Sequence, residues 1–463
     1  MPNFTTTASY NGIAQDSHFG DKWECAFMTD ISIDEMRYER LKNTFALVHD
    51  MDSTDTFLQI VETPNGLISV GETKIFLNAT DKSATLAGAN RMEFIGDSSG
   101  VQYNYFFNSS NVYKTPWDIS SITTTVAHTA WTVTSSCVVT TDILFAVAGV
   151  IYKYDTLTNT IATACDTLVT GSTVKYMYFY NDMVSVVTTK GSDTIIYQLQ
   201  YEGAGIYTIY SKEDKLGFLC VGAIGDSGIT YWITTTKIFG FSWGTSQEIR
   251  YIGKNSSFDE ATFTATPKLA FYAGYLVIGA GTTLWRWWAK NSSRRKSLTT
   301  QTLTGTISAT TGKYSILETT IATVTRKRIY TDSSKYPNSG YSITLPYDAW
   351  MFGDEKTNLA FQVGYQLKTG TSIDIGIMTD VMETVNTTTY ATLSSITDTA
   401  KKKQTFTVDE INQALEAAWY SSDWNSIRFK RTLNGWAGSS WLRDNTPTLY
   451  EMKCIHKFSN NDL

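Results

Sequence analysis

Chemistry in a protein needs particular side chains brought together, and this chain is sparing with them. Between residues 56 and 290 its arginines are Arg91, Arg250 and Arg286. A guanidinium fork fits a carboxylate, so three converging forks would clamp an acidic substrate. The histidines His18, His49, His128 and His456 show no metal-ligand spacing and no HExxH pair. Cys25, Cys137, Cys165, Cys220 and Cys454 are odd in number, scattered and without a CxxC. They read as buried thiols in a reducing compartment. No GxSxG elbow, Walker loop or dinucleotide fingerprint occurs. We therefore assign no catalytic, cofactor-binding or metal residues, expect no cofactor, and expect a protein that is not an enzyme.

Two features weigh on the other side. Asp226-Ser227-Gly228-Ile229-Thr230-Tyr231 resembles the Asp-box SxDxGxTW of sialidases, although Ile224 stands where the leading Ser belongs. Asp97-Ser98-Ser99-Gly100 is a weaker echo, and the FRIP motif of that family is missing. An Asp in such a turn holds its hairpin through side-chain to backbone hydrogen bonds, so the box is structural even in enzymes. The resemblance implies a carboxylate clamp, for which the three arginines are the candidates; a sialidase-like glycosidase is the least favoured reading. Trp232, Trp243, Trp285, Trp287 and Trp288 could stack on sugar rings, but those inside the repeat described below are expected in the core.

The elements that would position such residues are strands. The 463 residues are 42% hydrophobic and 18% charged, with abundant Thr, Ser, Tyr and Asn. Thr and Tyr suit pleated, half-buried surfaces. The net charge of −6 disfavours general nucleic-acid binding, which needs a dominant basic face. No apolar run reaches the length of a membrane span, and Met1-Pro2-Asn3-Phe4-Thr5-Thr6 lacks the start of a signal peptide. A chain made and folded in a cytoplasm is expected.

A short pattern, a β-aliphatic followed by an aromatic, recurs. It reads Ile75-Phe76, Val112-Tyr113, Ile151-Tyr152, Ile196-Tyr197, Ile238-Phe239 and Leu284-Trp285. Arg328-Ile329-Tyr330 is a possible further copy, and successive anchors lie 37 to 46 residues apart. A four-stranded blade needs about 40–50 residues. Ahead of most anchors lie two more apolar strands, joined by tight links such as Tyr180-Asn181-Asp182 and Ala273-Gly274. An ordinary stack of hairpins is the alternative. The reading is an all-β chain: a six- or seven-bladed β-propeller over 56–290, followed by a C-terminal antiparallel β-sandwich.

Residues 1–55 are read as an N-terminal arm or ring-closing segment, with partly helical-looking text from Ile33 to Leu41. The basic run Lys290-Asn291-Ser292-Ser293-Arg294-Arg295-Lys296-Ser297 opens an exposed connector over 291–312. Over 313–463 the strand signals resume without the blade period, as in Leu359–Leu367 and Ser372–Ile377. Thr407-Val408-Asp409-Glu410 forms a capping box, and Ile411, Leu415 and Trp419 fall on one face of the helix it opens.

One stretch adds a resemblance. Tyr10-Asn11-Gly12-Ile13-Ala14-Gln15-Asp16-Ser17-His18-Phe19-Gly20-Asp21-Lys22 resembles the opening of virion proteins of tailed bacteriophages, in which a GIA-type segment leads into a propeller. The order of arm, aromatic-anchored blades and Thr-rich sandwich is similar to theirs. The resemblance implies a virion structural protein of the tail tip, nozzle or neck, assembled in the host cytoplasm as one of several copies in a symmetric ring. Its partners would be other virion proteins and copies of itself. The alternative is a receptor- or glycan-binding protein on the virion surface, meeting a host-surface glycan.

Overall fold

The computed structural model describes residues 5–7, 12–13, 24–33, 39–42, 44–64, 66–82, 91–96, 101–127, 131–203, 205–242, 244–251, 266–288, 298–332, 339–344, 347–348, 359–385, 389–422, 424, 426–435 and 447–456. The described chain is all-β apart from two short helices. Four-stranded antiparallel meanders follow one another over 57–81, 91–127, 133–165, 173–215, 222–251 and 268–302. A further four-stranded sheet takes three strands from 306–332 and its outer strand, Phe45–Ser53, from near the N-terminus.

The turns explain the meanders. Asn181 and Asp182 both have positive φ, 47° and 61°, as do Ala273 and Gly274, 50° and 86°. Two left-handed residues make the turn whose twist matches a hairpin. In each meander the first strand touches the first strand of the next, and Thr306–Thr310 returns to touch Phe57–Thr63. The succession therefore closes.

Each sheet buries both faces. Leu67 packs toward the closing sheet, whereas the next residue, Ile68, packs toward the second. Leu144 and Ile143 divide in the same way, as do Val186 and Val187. Successive strand residues point to opposite faces, so a strand covered on both sides reads as a continuous apolar run. The anchor aliphatics Ile75, Val112, Ile151, Ile196, Ile238, Leu284 and Ile329 all sit in the third strand of their sheet and are all fully buried. Burying such a side chain stabilises by about 1.5–3 kcal/mol.

The C-terminal region is built over one core from the continuation of the sixth meander's sheet and from a second sheet. Ser339–Thr344, Ser426–Asn434, Ser372–Thr379 and Ala391–Ile396 pair in that order, and Lys403–Thr407, Leu359–Gln366 and Thr448–His456 form the other. Alternating Ile373, Ile375 and Ile377 share the core with Phe361, Val363 and Tyr365. The Phe361 and Phe429 rings, one from each sheet, lie 4.7 Å apart. α1 (Asp380–Val385) follows Ser372–Thr379, and α2 (Val408–Ala417) adds Ile411 and Leu415 to the core. The capping box is present: Glu410 N donates to Thr407 Oγ1 at 3.3 Å, and Thr407 N to Glu410 Oε2 at 2.7 Å.

Several boundaries lie elsewhere than the sequence suggested. Residues 298–302 and 306–310, placed in the connector, are strands; Leu298–Thr302 is the outer strand of the sixth meander. Residues 314–332, assigned to the sandwich, complete the closing sheet. Residues 1–55 are not one arm. Phe45–Ser53 pairs with Val324–Asp332, whereas Thr5–Thr7 and Glu39–Leu41 pair with Thr448–His456. Glu24–Thr29 joins Leu298–Thr302 to Ser339–Thr344. Of the helical-looking text, 34–38 lie outside the described residues; Ile33 ends the strand Ile31–Ile33, and Glu39–Leu41 is a strand paired with it and with Thr448–His456, whose pairing overrides local preference. Trp419 is not on the buried helix face. The helix ends before it, the chain turns left-handed there (φ 64°), and its side chain is 95% exposed.

Candidate functional site

The first strands of the meanders surround a central lumen, and their backbones are tied across it by side chains. Gln59 exchanges two hydrogen bonds with the Met92 backbone, Nε2 to O at 3.0 Å and N to Oε1 at 3.1 Å. Arg91 Nη2 donates to Thr134 O at 2.7 Å, and Ser136 Oγ to Glu93 Oε1 at 2.6 Å. Gly225 N donates to Tyr176 Oη at 2.9 Å. A Cβ at Gly225 would fall 2.0 Å from the Tyr178 ring, so only glycine lets that ring lie against the strand.

Inside this belt lies a cavity of about 1040 Å³, whose charged lining residues among those described are Arg91, Lys175 and Lys268. A smaller space of about 400 Å³ adjoins it through Gln59, Arg91, Lys175 and Tyr176, and adds Glu93 and Cys137. The groups bordering this smaller space are desolvated. Burial raises the pKa of the Glu93 carboxyl, against the Ser136 hydrogen bond and the Arg91 charge, and burial likewise raises the Cys137 thiol and the Tyr176 phenol. Burial, then the charges of Arg91 and Lys327, lowers the pKa of Lys268. The lumen can hold a ligand; its cations give that ligand a sign.

The three arginines do not converge. Arg91 is on a first strand facing the lumen, Arg286 on a third strand, and Arg250 on an outer strand. Arg286 is buried and committed elsewhere, with Nη1 on Gln301 Oε1 at 2.6 Å and Nη2 on Asp332 Oδ1 at 3.2 Å. Beside it, burial and then the Arg286 charge, opposed by Asp332, bring Lys42 from 10.5 down to about 8. The Asp-box-like segment is the hairpin between Gly222–Asp226 and Ile229–Ile233. Asp226 there accepts from its neighbour, Ser227 Oγ, at 3.0 Å. Ser227 and Gly228 take positive φ, so the turn itself shapes the hairpin.

Trp232 is fully buried and stacks on Phe239 at 4.1 Å, and Trp285 and Trp287 are 2% exposed, so none of the three can meet a sugar. Trp243, the Trp288 side chain, His18, His128, Asp97–Gly100 and the basic run 290–297 lie outside the described residues, as does most of 10–22. His49 is half-buried in Phe45–Ser53, opposite Ile329. Sequence reasoning missed Lys175, Lys268, Glu93 and Gln59. Their one signal was a polar side chain within an otherwise apolar first strand, as in Thr173-Val174-Lys175-Tyr176-Met177.

Among the described residues, no group of three or more His, Cys, Asp or Glu is placed to hold a metal ion. No helix there is long and apolar enough to cross a membrane. No family model and no curated protein matches the sequence. Solved structures do match. The Pan2 WD40 domain of Neurospora crassa is similar at TM-score 0.44 and 11% identity, over 65% of this chain and 98% of that one. The extracellular domain of a putative one-component system from B. thetaiotaomicron is similar at TM-score 0.43 and 10% identity, over 83% and 58%. The fold is all-β and propeller-like. These likenesses concern fold and say nothing of activity.

Proposed function

We propose that this chain is a structural component of a tailed-bacteriophage virion, a rigid scaffold in a symmetric ring at the tail tip, nozzle or neck. In this reading the meanders and the closing sheet are a seven-bladed β-propeller, and the C-terminal sheets are a β-sandwich. The observation that carries the assembly role is Trp419. Tryptophan dominates protein–protein hot spots. Here one stands 95% exposed, at a backbone conformation that normally favours glycine. Tyr420 N reaches back to Leu415 O at 2.9 Å, so the turn presenting it is fixed. The segment Tyr10–Lys22 supports the virion assignment.

The test has two arms. Mass spectrometry of purified virions should find this chain. Native mass spectrometry of the purified chain should show an oligomer, and Trp419→Asn, which tolerates the left-handed turn, should shift it toward monomer. A strictly monomeric chain missing from purified particles would overturn the proposal. A receptor- or glycan-binding role is the second reading. It is favoured by Tyr201 and Tyr210, which are 48% and 66% exposed on neighbouring strands. A glycan array without hits would remove it.

A further inference from the structure

We propose that the lumen is a binding site for a small molecule carrying two or more anionic groups, carboxylate or phosphate. Among the described residues, every charged side chain lining the 1040 Å³ cavity is a cation, in a chain whose net charge is −6. Arg91, Lys175 and Lys268 come from the second, fourth and sixth meanders, so they face the lumen from separated sides. No carboxylate of the described residues lines that cavity; Glu93 borders the adjoining space and accepts from Ser136. Arg91 is held by Thr134 O and keeps a buried Nε without a partner. Thr173, Tyr176 and Thr189 add neutral hydroxyls to the same lining.

Cations that face one lumen repel one another and gain on meeting an anion. The depressed Lys268 agrees, since Arg91 and Lys327 both act against its charge. The volume suits a metabolite-sized ligand, for which sites run about 300–1,000 Å³. The site stands whether or not the chain assembles into a virion.

Isothermal titration at low ionic strength, with citrate in one arm and inorganic tripolyphosphate in the other, tests this. Saturable one-site binding with a Kd of about 1 mM or tighter is expected for at least one anion. Binding of citrate alone marks a carboxylate site, and binding of tripolyphosphate alone a phosphate site. Lys268→Gln and Lys175→Gln should each weaken binding about 3- to 10-fold, and added salt should weaken it further. Lys175 is exposed on its strand, so its variant should fold even if another does not. No binding of either anion up to about 10 mM, or equal binding by wild type and both variants, would overturn the proposal.

Discussion

Two sets of three cations, one in the closing sheet and one in the lumen, have opposite fates. Arg326, Lys327 and Arg328 are consecutive in Val324–Asp332, and each has its own carboxylate. Arg326 meets Asp52 at 2.6 Å, Lys327 meets Glu318 at 2.5 Å, and Arg328 meets Asp50 at 2.9 Å. Asp50 and Asp52 come from Phe45–Ser53, so two of these pairs join distant parts of the chain where the succession of sheets closes. Arg91, Lys175 and Lys268 have no such partner among the described residues. A cation paired by its own chain holds the fold; a cation left open inside a rigid wall is available to a ligand. The difference predicts that removing charges from the two places will move stability in opposite directions.

The largest effect belongs to Asp50. Arg328 is buried and also donates to Thr319 O and Oγ1 at 2.7 and 2.8 Å, so losing Asp50 leaves its charge uncompensated. Asp50→Ala should cost about 2–3 kcal/mol in urea unfolding, less than a fully buried pair because Asp50 is itself part-exposed. The pH dependence sharpens this. Burial acts to raise the Asp50 pKa, but the hydrogen bonds from Arg328 and Asp52 N and the nearby arginine charges prevail, and it falls below its ordinary 3.8. A carboxyl depressed in the folded state stabilises fully above the unfolded value and loses that contribution as pH falls through the folded one. The gap between wild type and Asp50→Ala should therefore persist at neutral pH and narrow as pH falls below the ordinary carboxylate value of 3.8. A gap that stayed constant into acid would assign the loss to packing.

Next comes Lys327, which also reaches Ser308 Oγ at 3.2 Å. Glu318→Gln keeps the shape and removes the charge, and should cost about 1 kcal/mol. If this loss equalled that of Asp50→Ala, pairing across the closure would carry no special weight.

How much of this was legible follows from where each signal is written. The anchors were readable because both faces of every third strand are covered, which forces an aliphatic such as Ile196 beside an aromatic such as Tyr197, blade after blade. The outer strand of the closing sheet was read only as one alternative for residues 1–55, with no boundaries. Phe45–Ser53 is half exposed and carries His49, Asp50 and Asp52, and its partner lies hundreds of residues away. Trp419 fitted the 3.6-residue period of Ile411 and Leu415, but periodicity cannot report a helix that stops two residues earlier. The arginine count was read correctly, yet linear spacing does not say which strand of a sheet a residue occupies. Arg91 and Arg286 fall at different depths for that reason. Lys175 and Lys268 were passed over because a lone lysine in a strand usually marks a solvated face.

The smallest effect is the most discriminating. In anion-free buffer, Lys268→Met should stabilise the protein by about 0.5–1 kcal/mol, because it removes a partly desolvated charge with no carboxylate paired to it among the described residues. Its sign opposes that of the closing-sheet variants. Burial, Arg91 and Lys327 hold the Lys268 pKa below 10.5. The unfolded chain therefore binds more protons between the folded and unfolded values, and wild-type stability rises with pH across that window. The advantage of Lys268→Met should then shrink as pH climbs toward 10.5, where the native lysine is already neutral. Urea titrations of both proteins at neutral and alkaline pH measure this directly. A destabilised Lys268→Met would mean that the lumen lysine holds the ring together as Arg328 does, and the distinction between the two sets of cations would fall.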